Sequence, residues 1–427
     1  MKQIYIETYG CSANQNNSEI IAGILNHDGN KLIYNPDKAD FIVLNTCAVK
    51  EKTEGKIKRR IQDLHKKYPY KKMVVTGCLA QTDSDKIRKL NPDSIILGTD
   101  HYTDISEIIN QDNLVTIKIS KQKEEKILLP KISQDKLISI TQISEGCLSK
   151  CTFCKTKLAK GNLYSYPQEK ILASIENDLK QGTKEIWLTS QGNENFGIDR
   201  GKNELVELLN KILSLPYSFK LRLGMMNPIN LQDTDKLIRV YKNEKMYKFL
   251  HIPIQSASNK VLKDMKRGYK IEKVKEIINK FREEFPNITI ATDIISGYPT
   301  EFEEDHNLNI EFIKKYKPDV LNLSKFSKHK NTPAEKLKNL SISIVNKRNI
   351  EIMRAHRQSA NEGKMKFLNK TINVFVNKKI SNNNYKSRDD NYNIVLIKSN
   401  NDILGNNVNV KIINVGVHHM IGDIITY

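Results

Sequence analysis

All six cysteines of this 427-residue chain fall into two triplets. Cys147, Cys151 and Cys154 are spaced C-x-x-x-C-x-x-C, within Gly146-Cys-Leu-Ser-Lys-Cys-Thr-Phe-Cys154. Cys11, Cys47 and Cys78 are far apart in sequence, yet each closes a short apolar, strand-like run. Thiolates are the natural ligands of iron–sulfur clusters, and three of them on a four-iron cluster leave one iron open for chemistry. A structural zinc site asks for a closed set of four ligands, and neither triplet has a fourth cysteine. For the close triplet the alternative is a zinc site completed by a distant histidine. For the dispersed one it is three unrelated buried thiols.

Such thiols have to be carried by a frame, and the length of the chain calls for two or three domains. Residues 3–110 alternate strand-like runs (Gln3–Gly10, Phe41–Thr46, Met73–Gly77, Ser94–Gly98) with helical stretches at Ser18–Asn26 and Thr53–Tyr68. That alternation predicts an α/β fold with a doubly wound parallel sheet. In such sheets functional groups gather at the carboxyl ends of the strands, where Cys11, Cys47 and Cys78 all stand. The charged segment Ile119–Lys136 reads as a linker. Six further strands follow: Leu137–Ile143, Glu185–Thr189, Lys220–Met225, Phe249–Ile254, Ile288–Ile295 and Asp319–Lys325. With helices at Glu169–Gln181, Asn203–Leu213, Lys270–Glu284 and Glu303–Lys317 they make a partial (β/α)6 barrel. Barrel sites lie at the carboxyl ends of the strands, and the close cysteine triplet follows the first one. From about Thr371 the chain turns β-branched, with Thr371–Val376, Tyr392–Ile397, Asn407–Val415 and Ile421–Tyr427 separated by Asn, Asp and Gly turns. This predicts a small antiparallel barrel of the oligonucleotide-binding type. The expected domains are therefore 1–118, a linker at 119–136, 137–365 and 366–427.

The formal net charge is +20, which favours a polyanionic partner such as nucleic acid. Lys378, Lys379, Lys386, Arg388 and Lys398 of the last domain are candidate phosphate contacts. Glu7 interrupts the first apolar run, so no secretory leader is expected. No stretch approaches the roughly 20 apolar residues of a membrane span. Reduced thiols in such a chain point to the cytoplasm. No carboxylate pair or nucleophile–histidine arrangement offers a competing mechanism.

Three segments resemble the radical S-adenosylmethionine methylthiotransferases: Glu7-Thr-Tyr-Gly-Cys-Ser-Ala-Asn-Gln15, the stretch from Glu145 to Pro167, and His251-Ile-Pro-Ile-Gln-Ser-Ala-Ser258. Gly-Cys-Ser-Ala-Asn-Gln, Lys-Thr-Lys-x-Ala-x-Gly-Asn-Leu and Glu-Ile-Trp-Leu-Thr-Ser are most similar to the archaeal and eukaryotic branch acting on threonylcarbamoyladenosine in tRNA. The resemblance runs almost end to end and implies a C-terminal TRAM domain. It implies that Cys147, Cys151 and Cys154 hold a radical-generating four-iron cluster, and that Cys11, Cys47 and Cys78 hold an auxiliary one that binds the transferred sulfur. One S-adenosylmethionine would methylate that sulfur, and a second would give the radical that takes hydrogen from carbon 2 of adenine at tRNA position 37. Phe153 would lie against the adenine of S-adenosylmethionine. Ser190, Gln191, Arg222 and Gln255 would contact its methionine and ribose, and Gly297 would let backbone approach its adenine. His251 reads as a packed barrel residue. An electron donor such as a flavodoxin or ferredoxin and a sulfur donor are implied partners. The chain departs from the family pattern at Gly192-Asn193 and at Lys328-His329-Lys330-Asn331-Thr332. Alternatives are isopentenyladenosine or a ribosomal protein side chain as acceptor, or a zinc-stabilised RNA-binding protein without catalysis.

Within Lys56–Lys67, Ile57, Ile61 and Leu64 recur at helical spacing, so that Arg59 and Arg60 face outward. Should this helix cradle the anticodon arm, reversing both charges lowers tRNA affinity and flattens its dependence on salt. An unchanged slope in filter binding assigns the face to solvent.

Overall fold

The apolar runs that end at the dispersed cysteines lie side by side. In the computed structural model, which describes residues 1–110, 117–231 and 233–425, Gln3–Thr8 (β1), Lys31–Ile33 (β2), Phe41–Thr46 (β3), Lys72–Gly77 (β4), Ile95–Leu97 (β5) and Ile117–Lys118 (β6) form one parallel sheet. Its order is β2-β1-β3-β4-β5-β6, the doubly wound arrangement expected. The two edge strands were not legible because each is only two or three residues long. Every residue of β3 is buried, so the strand reads as a continuous apolar run rather than an alternating one. Helix Ser12–His27 begins immediately after Cys11, six residues earlier than its apolar pattern suggests, because Asn14, Asn16 and Asn17 are buried and hydrogen-bonded.

The second unit supplies all six expected strands: Ile138–Gln142 (β7), Glu185–Thr189 (β10), Lys220–Leu223 (β11), Phe249–His251 (β12), Thr289–Ser296 (β13) and Val320–Lys325 (β14). A short antiparallel pair, Ser144–Glu145 (β8) and Tyr164–Ser165 (β9), brackets the close cysteine triplet. The parallel ladders β7-β10-β11 and β12-β13-β14 meet at an isolated bridge between Leu221 and Met246, which completes the open barrel. Helices Gln168–Lys180, Leu205–Leu213, Ile271–Glu284 and Glu303–Tyr316 cover it. Helices Thr234–Tyr241, Asn259–Asp264 and the long Ile342–Met365 were not anticipated. The last of these escaped notice because polar Arg348, His356 and Ser359 share its buried face with Val345, Ile352 and Ala355.

Thr371–Ser381 (β15), Asn384–Arg388 (β16), Ile394–Lys398 (β17), Asn407–Val415 (β18) and Met420–Ile424 (β19) close into a five-stranded barrel. It is not wholly antiparallel, since β17 and β19 run parallel. The strand expected to reach Tyr427 ends at Ile424, and residues 426 and 427 lie outside the described residues. No helix among the described residues is long and apolar enough to cross a membrane.

Segment 119–136, expected as a linker, is anchored at two of its lysines. Lys126 is buried, with its ammonium 2.7 Å from Glu145 and 3.3 Å from Asp100. Lys131 reaches Asp178 at 2.7 Å. Its charges pair with residues distant in sequence, which is why composition alone suggested a free segment.

A second buried lysine joins the first two units. Lys155, directly after Cys154, lies 2.6 Å from Asp83 and 3.1 Å from Glu54, and its side chain is 3 % exposed. The helix it opens, Lys155–Lys160, packs on helix Cys78–Thr82. Removing one partner of a buried ion group strands the others. Lys155→Met is expected to cost about 3–5 kcal/mol in urea unfolding of the iron-free protein, and adding Glu54→Gln and Asp83→Asn should recover much of it.

Candidate active site

The carboxyl ends of β1, β3 and β4 bring the dispersed cysteines together. Cys11 precedes the first helix, Cys47 follows β3 and Cys78 opens the helix after β4. The turn before Cys11 needs glycine: Gly10 has φ +113°, and a Cβ there would stand 2.9 Å from Cβ and 3.1 Å from Sγ of Cys47. The Val49 amide donates to the Cys47 sulfur at 3.5 Å. Burial raises the Cys47 thiol, and lifts Cys78 to about 12, with Cys47 and Cys11 close enough to add to its shift.

Cys147, Cys151 and Cys154 lie in the loop between β8 and helix Lys155–Lys160. The Ser149 amide donates to the Cys147 sulfur at 3.3 Å. Lys157 donates to the Cys147 carbonyl. Arg267, a buried cation, places Nη1 3.3 Å from the Cys151 sulfur while Nη2 donates to the Pro253 carbonyl at 3.0 Å. Burial raises the Cys147 thiol and lifts that of Cys154 to about 11.

Cysteines of both sets line one cavity of about 690 Å³, well up the range of ~300–1,000 Å³ usual for ligand pockets. Its lining includes Cys11, Cys47, Val49, Lys50 and Thr53 from the first unit and the close triplet with Phe153, Ser190, Gln191, Arg222, Gln255 and Arg267 from the second. Cys78 is not part of that lining and is buried at 7 % exposure.

Of the residues assigned to S-adenosylmethionine, Phe153, Ser190, Gln191, Arg222 and Gln255 all line this cavity. The Gln191 side chain accepts from the Gly146 amide at 2.7 Å, and Ser190 from the Gly192 amide at 3.1 Å. Gln255 holds a left-handed φ of 67°, a strained state for a non-glycine residue that recurs at functional sites. Phe153 also packs against Val261, Met265, Tyr298 and Ala334. Gly297 does not reach the cavity wall. The close approach that its bare Cα serves is to Val345, whose Cγ2 would lie 2.6 Å from an added Cβ. His251 lines the cavity beside Asp293, 3.2 Å away, which also accepts from Asn322 at 2.6 Å.

The candidate RNA contacts divide. Arg59, Lys378, Lys379 and Lys398 are exposed, whereas Lys386 is half-buried, which depresses its ammonium. Arg60 is spent on Glu7, 2.9 Å away. Arg388 is no surface cation: it is buried 3.6 Å over the Tyr392 ring, with Nη1 donating to the Tyr392 carbonyl. Arg267, Asp293, Asn322 and Lys50 were missed, since they are isolated polar residues whose partners are fixed only by the fold.

Among the described residues, no three His, Cys, Asp or Glu side chains converge on a point fit for a single metal ion. A four-iron cluster binds each thiolate to a different iron and so asks for a wider spacing. Three thiols to a set, a glycine notch that admits Cys47 and amide donors to sulfur suit such clusters.

Residues 3–98 match the Uncharacterized protein family UPF0004, and residues 141–313 match the Radical SAM superfamily. Among solved structures, the radical S-adenosylmethionine methyltransferase TsrM from Kitasatospora setae superposes with a TM-score of 0.57 at 11 % identity, covering 78 % of this chain and 75 % of that one. That likeness concerns the fold alone. Fold and site define a radical S-adenosylmethionine enzyme, a class that works with S-adenosylmethionine and a four-iron cluster. The chain is 36 % identical, over the full length of both, to the probable threonylcarbamoyladenosine tRNA methylthiotransferase of Pyrococcus horikoshii. It is 36 % identical to the Archaeoglobus fulgidus protein of the same description, over 99 % of this chain and 98 % of that one. It is 33 % identical to the human threonylcarbamoyladenosine tRNA methylthiotransferase, over 99 % of this chain and 74 % of the relative. The chain belongs to the threonylcarbamoyladenosine tRNA methylthiotransferase family.

Neutral buried thiols are poor nucleophiles. In iron-free protein at pH 7.5, iodoacetamide is expected to label exposed Cys11 first and Cys78 and Cys154 last, read by peptide mass spectrometry. Cluster loading should release protons from the same thiols.

Proposed function

We propose that this chain transfers a methylthio group to carbon 2 of N6-threonylcarbamoyladenosine next to the anticodon of tRNA. The observation that carries this reading is that Cys11 and Cys47 of one unit and Cys147, Cys151 and Cys154 of the next line one cavity. Cys147, Cys151 and Cys154 hold the radical-generating cluster, and Cys11, Cys47 and Cys78 hold a second one that presents sulfur. A cluster held by Cys147, Cys151 and Cys154 would supply, with S-adenosylmethionine, the one-electron chemistry that an aromatic C–H bond neither acidic nor electrophilic demands.

The chain's own residues bind, orient and exclude water. Ser190, Gln191, Gln255 and Arg222 grip the methionine and ribose parts, and Phe153 covers the adenine. Arg267 puts a fixed positive charge beside the Cys151 thiolate and keeps its loop in place. Burial of Cys78 keeps solvent from one thiol of the dispersed set. The acceptor base must leave its stack to reach such a site, which a single-stranded loop permits. Arg59 and the exposed lysines Lys378, Lys379 and Lys398 meet phosphates around it. A cytoplasmic reductant such as a flavodoxin or ferredoxin and a sulfur donor complete the cycle.

Nucleoside mass spectrometry of tRNA, from cells that make threonylcarbamoyladenosine and express the protein, tests this reading. A methylthio increment is expected with the native chain, and none with Cys11→Ala or Cys151→Ala. No increment from a fully iron-loaded protein overturns the acceptor. Roughly eight irons per chain are expected, falling to about four in either cysteine variant.

A further inference from the structure

Arg222 is an unusual wall residue. It sits on β11 opposite Trp187 of β10, lines the cavity, and has a buried Nε with no protein hydrogen-bond partner. Aromatic faces hold it instead. Its guanidinium carbon is 5.6 Å from the Trp187 ring, 5.1 Å from Phe249 and 5.7 Å from Tyr392. Trp187 and Phe249 belong to the open barrel, but Tyr392 belongs to the C-terminal barrel.

Tyr392 reaches this place through a built turn between β16 and β17. It holds a left-handed φ of 66°, which costs a residue with a side chain and persists only where the surroundings impose it. Asp389 accepts from the Asn393 amide at 2.8 Å and from the Asn393 side chain at 3.0 Å. The Asp390 carbonyl accepts from the Lys248 amide at 2.8 Å, and the Asp390 carboxylate meets Lys220 at 2.6 Å. The ring enters the lumen 4.8 Å from Phe249, 5.0 Å from Tyr247 and 6.1 Å from Trp187, with Arg388 on its other side.

We propose that Tyr392 is a positioning residue for Arg222, so that the C-terminal barrel, without lining the nucleotide cavity itself, fixes one of its wall residues from behind. This rests on the reading that Arg222 touches S-adenosylmethionine. A cation held by π-faces keeps its N–H donors free for a carboxylate. The RNA-binding candidate domain is then mechanically continuous with the cavity wall.

The test uses the full-length, cluster-loaded protein and S-adenosylmethionine. Tyr392→Leu, Tyr392→Phe, Arg222→Met and the Tyr392→Leu/Arg222→Met double variant are compared by equilibrium dialysis, by kcat and KM for S-adenosylmethionine cleavage, and by tRNA binding. Tyr392→Leu is expected to raise Kd and KM about five- to tenfold, the size of a lost cation–π contact, with kcat and tRNA affinity held. Tyr392→Phe should restore native affinity, and the double variant should add nothing to Arg222→Met. Trp187 is the only tryptophan, so its emission in the iron-free protein reads this contact directly and should shift in Tyr392→Leu but not in Tyr392→Phe. Weak binding by Arg222→Met with native binding by Tyr392→Leu overturns the positioning role alone, as does additivity in the double variant. Native binding by Arg222→Met overturns the placement of Arg222 at S-adenosylmethionine, and the proposal with it. If Tyr392→Leu does not fold, Tyr392→Met is judged by the same contrasts.

Discussion

A lysine almost sealed from water, Lys155, holds the two halves of the cavity in register. It is bonded along the chain to Cys154 and through space to Asp83, the residue that ends the helix opened by Cys78. One side chain therefore ties a cysteine of the close triplet to a cysteine of the dispersed one. Burying an ammonium is costly unless carboxylates and good geometry compensate, and here Asp83 and Glu54 both meet it. Although burial works in the other direction, Lys155 and Lys86 hold the Asp83 carboxyl down to about 2. A second buried group repeats the arrangement on the other flank. Glu145, two residues before Cys147, lies 2.7 Å from Lys126 and 3.2 Å from Lys160, and Lys126 continues to Asp100. Three parts of the sequence are fastened around the cysteines by charges that must all be present together.

This constraint explains the form of the site. On the proposed function a radical must be made close to its target and away from water, which asks that both thiol sets be held at one cavity. Helix packing between Lys155–Lys160 and Cys78–Thr82 supplies the distance, and the ion groups supply specificity of alignment. The barrel contributes a wall of polar strand ends, and Arg267 brings a permanent charge to the Cys151 sulfur. The C-terminal barrel closes the lumen from its own side through Tyr392. The first two units thus line a common cavity, and the third touches one of its wall residues, Arg222.

Much of this was legible in the sequence, for physical reasons. Buried parallel strands must be apolar runs, so β3, β4 and β7 declared themselves, and cysteines at strand ends followed. Short edge strands such as β2 carry too few residues to show a pattern. The polar strand β16 is buried through Tyr385, Ser387 and Arg388, so hydropathy alone could not find it. Segment 119–136 looked solvated because its partners, Glu145, Asp100 and Asp178, lie elsewhere in the chain. Arg388 looked like a surface cation for the same reason, since the aromatic ring that covers it is fixed by a turn. Gly297 pointed to a close backbone approach, and there is one, but toward Val345. Composition reveals which residues can bury, and only the fold reveals beside what.

The most direct test of the central claim is an iron anomalous difference map from anaerobic crystals of the loaded protein. Two iron sites are expected at one cavity, one at Cys147, Cys151 and Cys154, the other at Cys11, Cys47 and Cys78. A single iron site, or a second one away from the dispersed cysteines, would contradict the account.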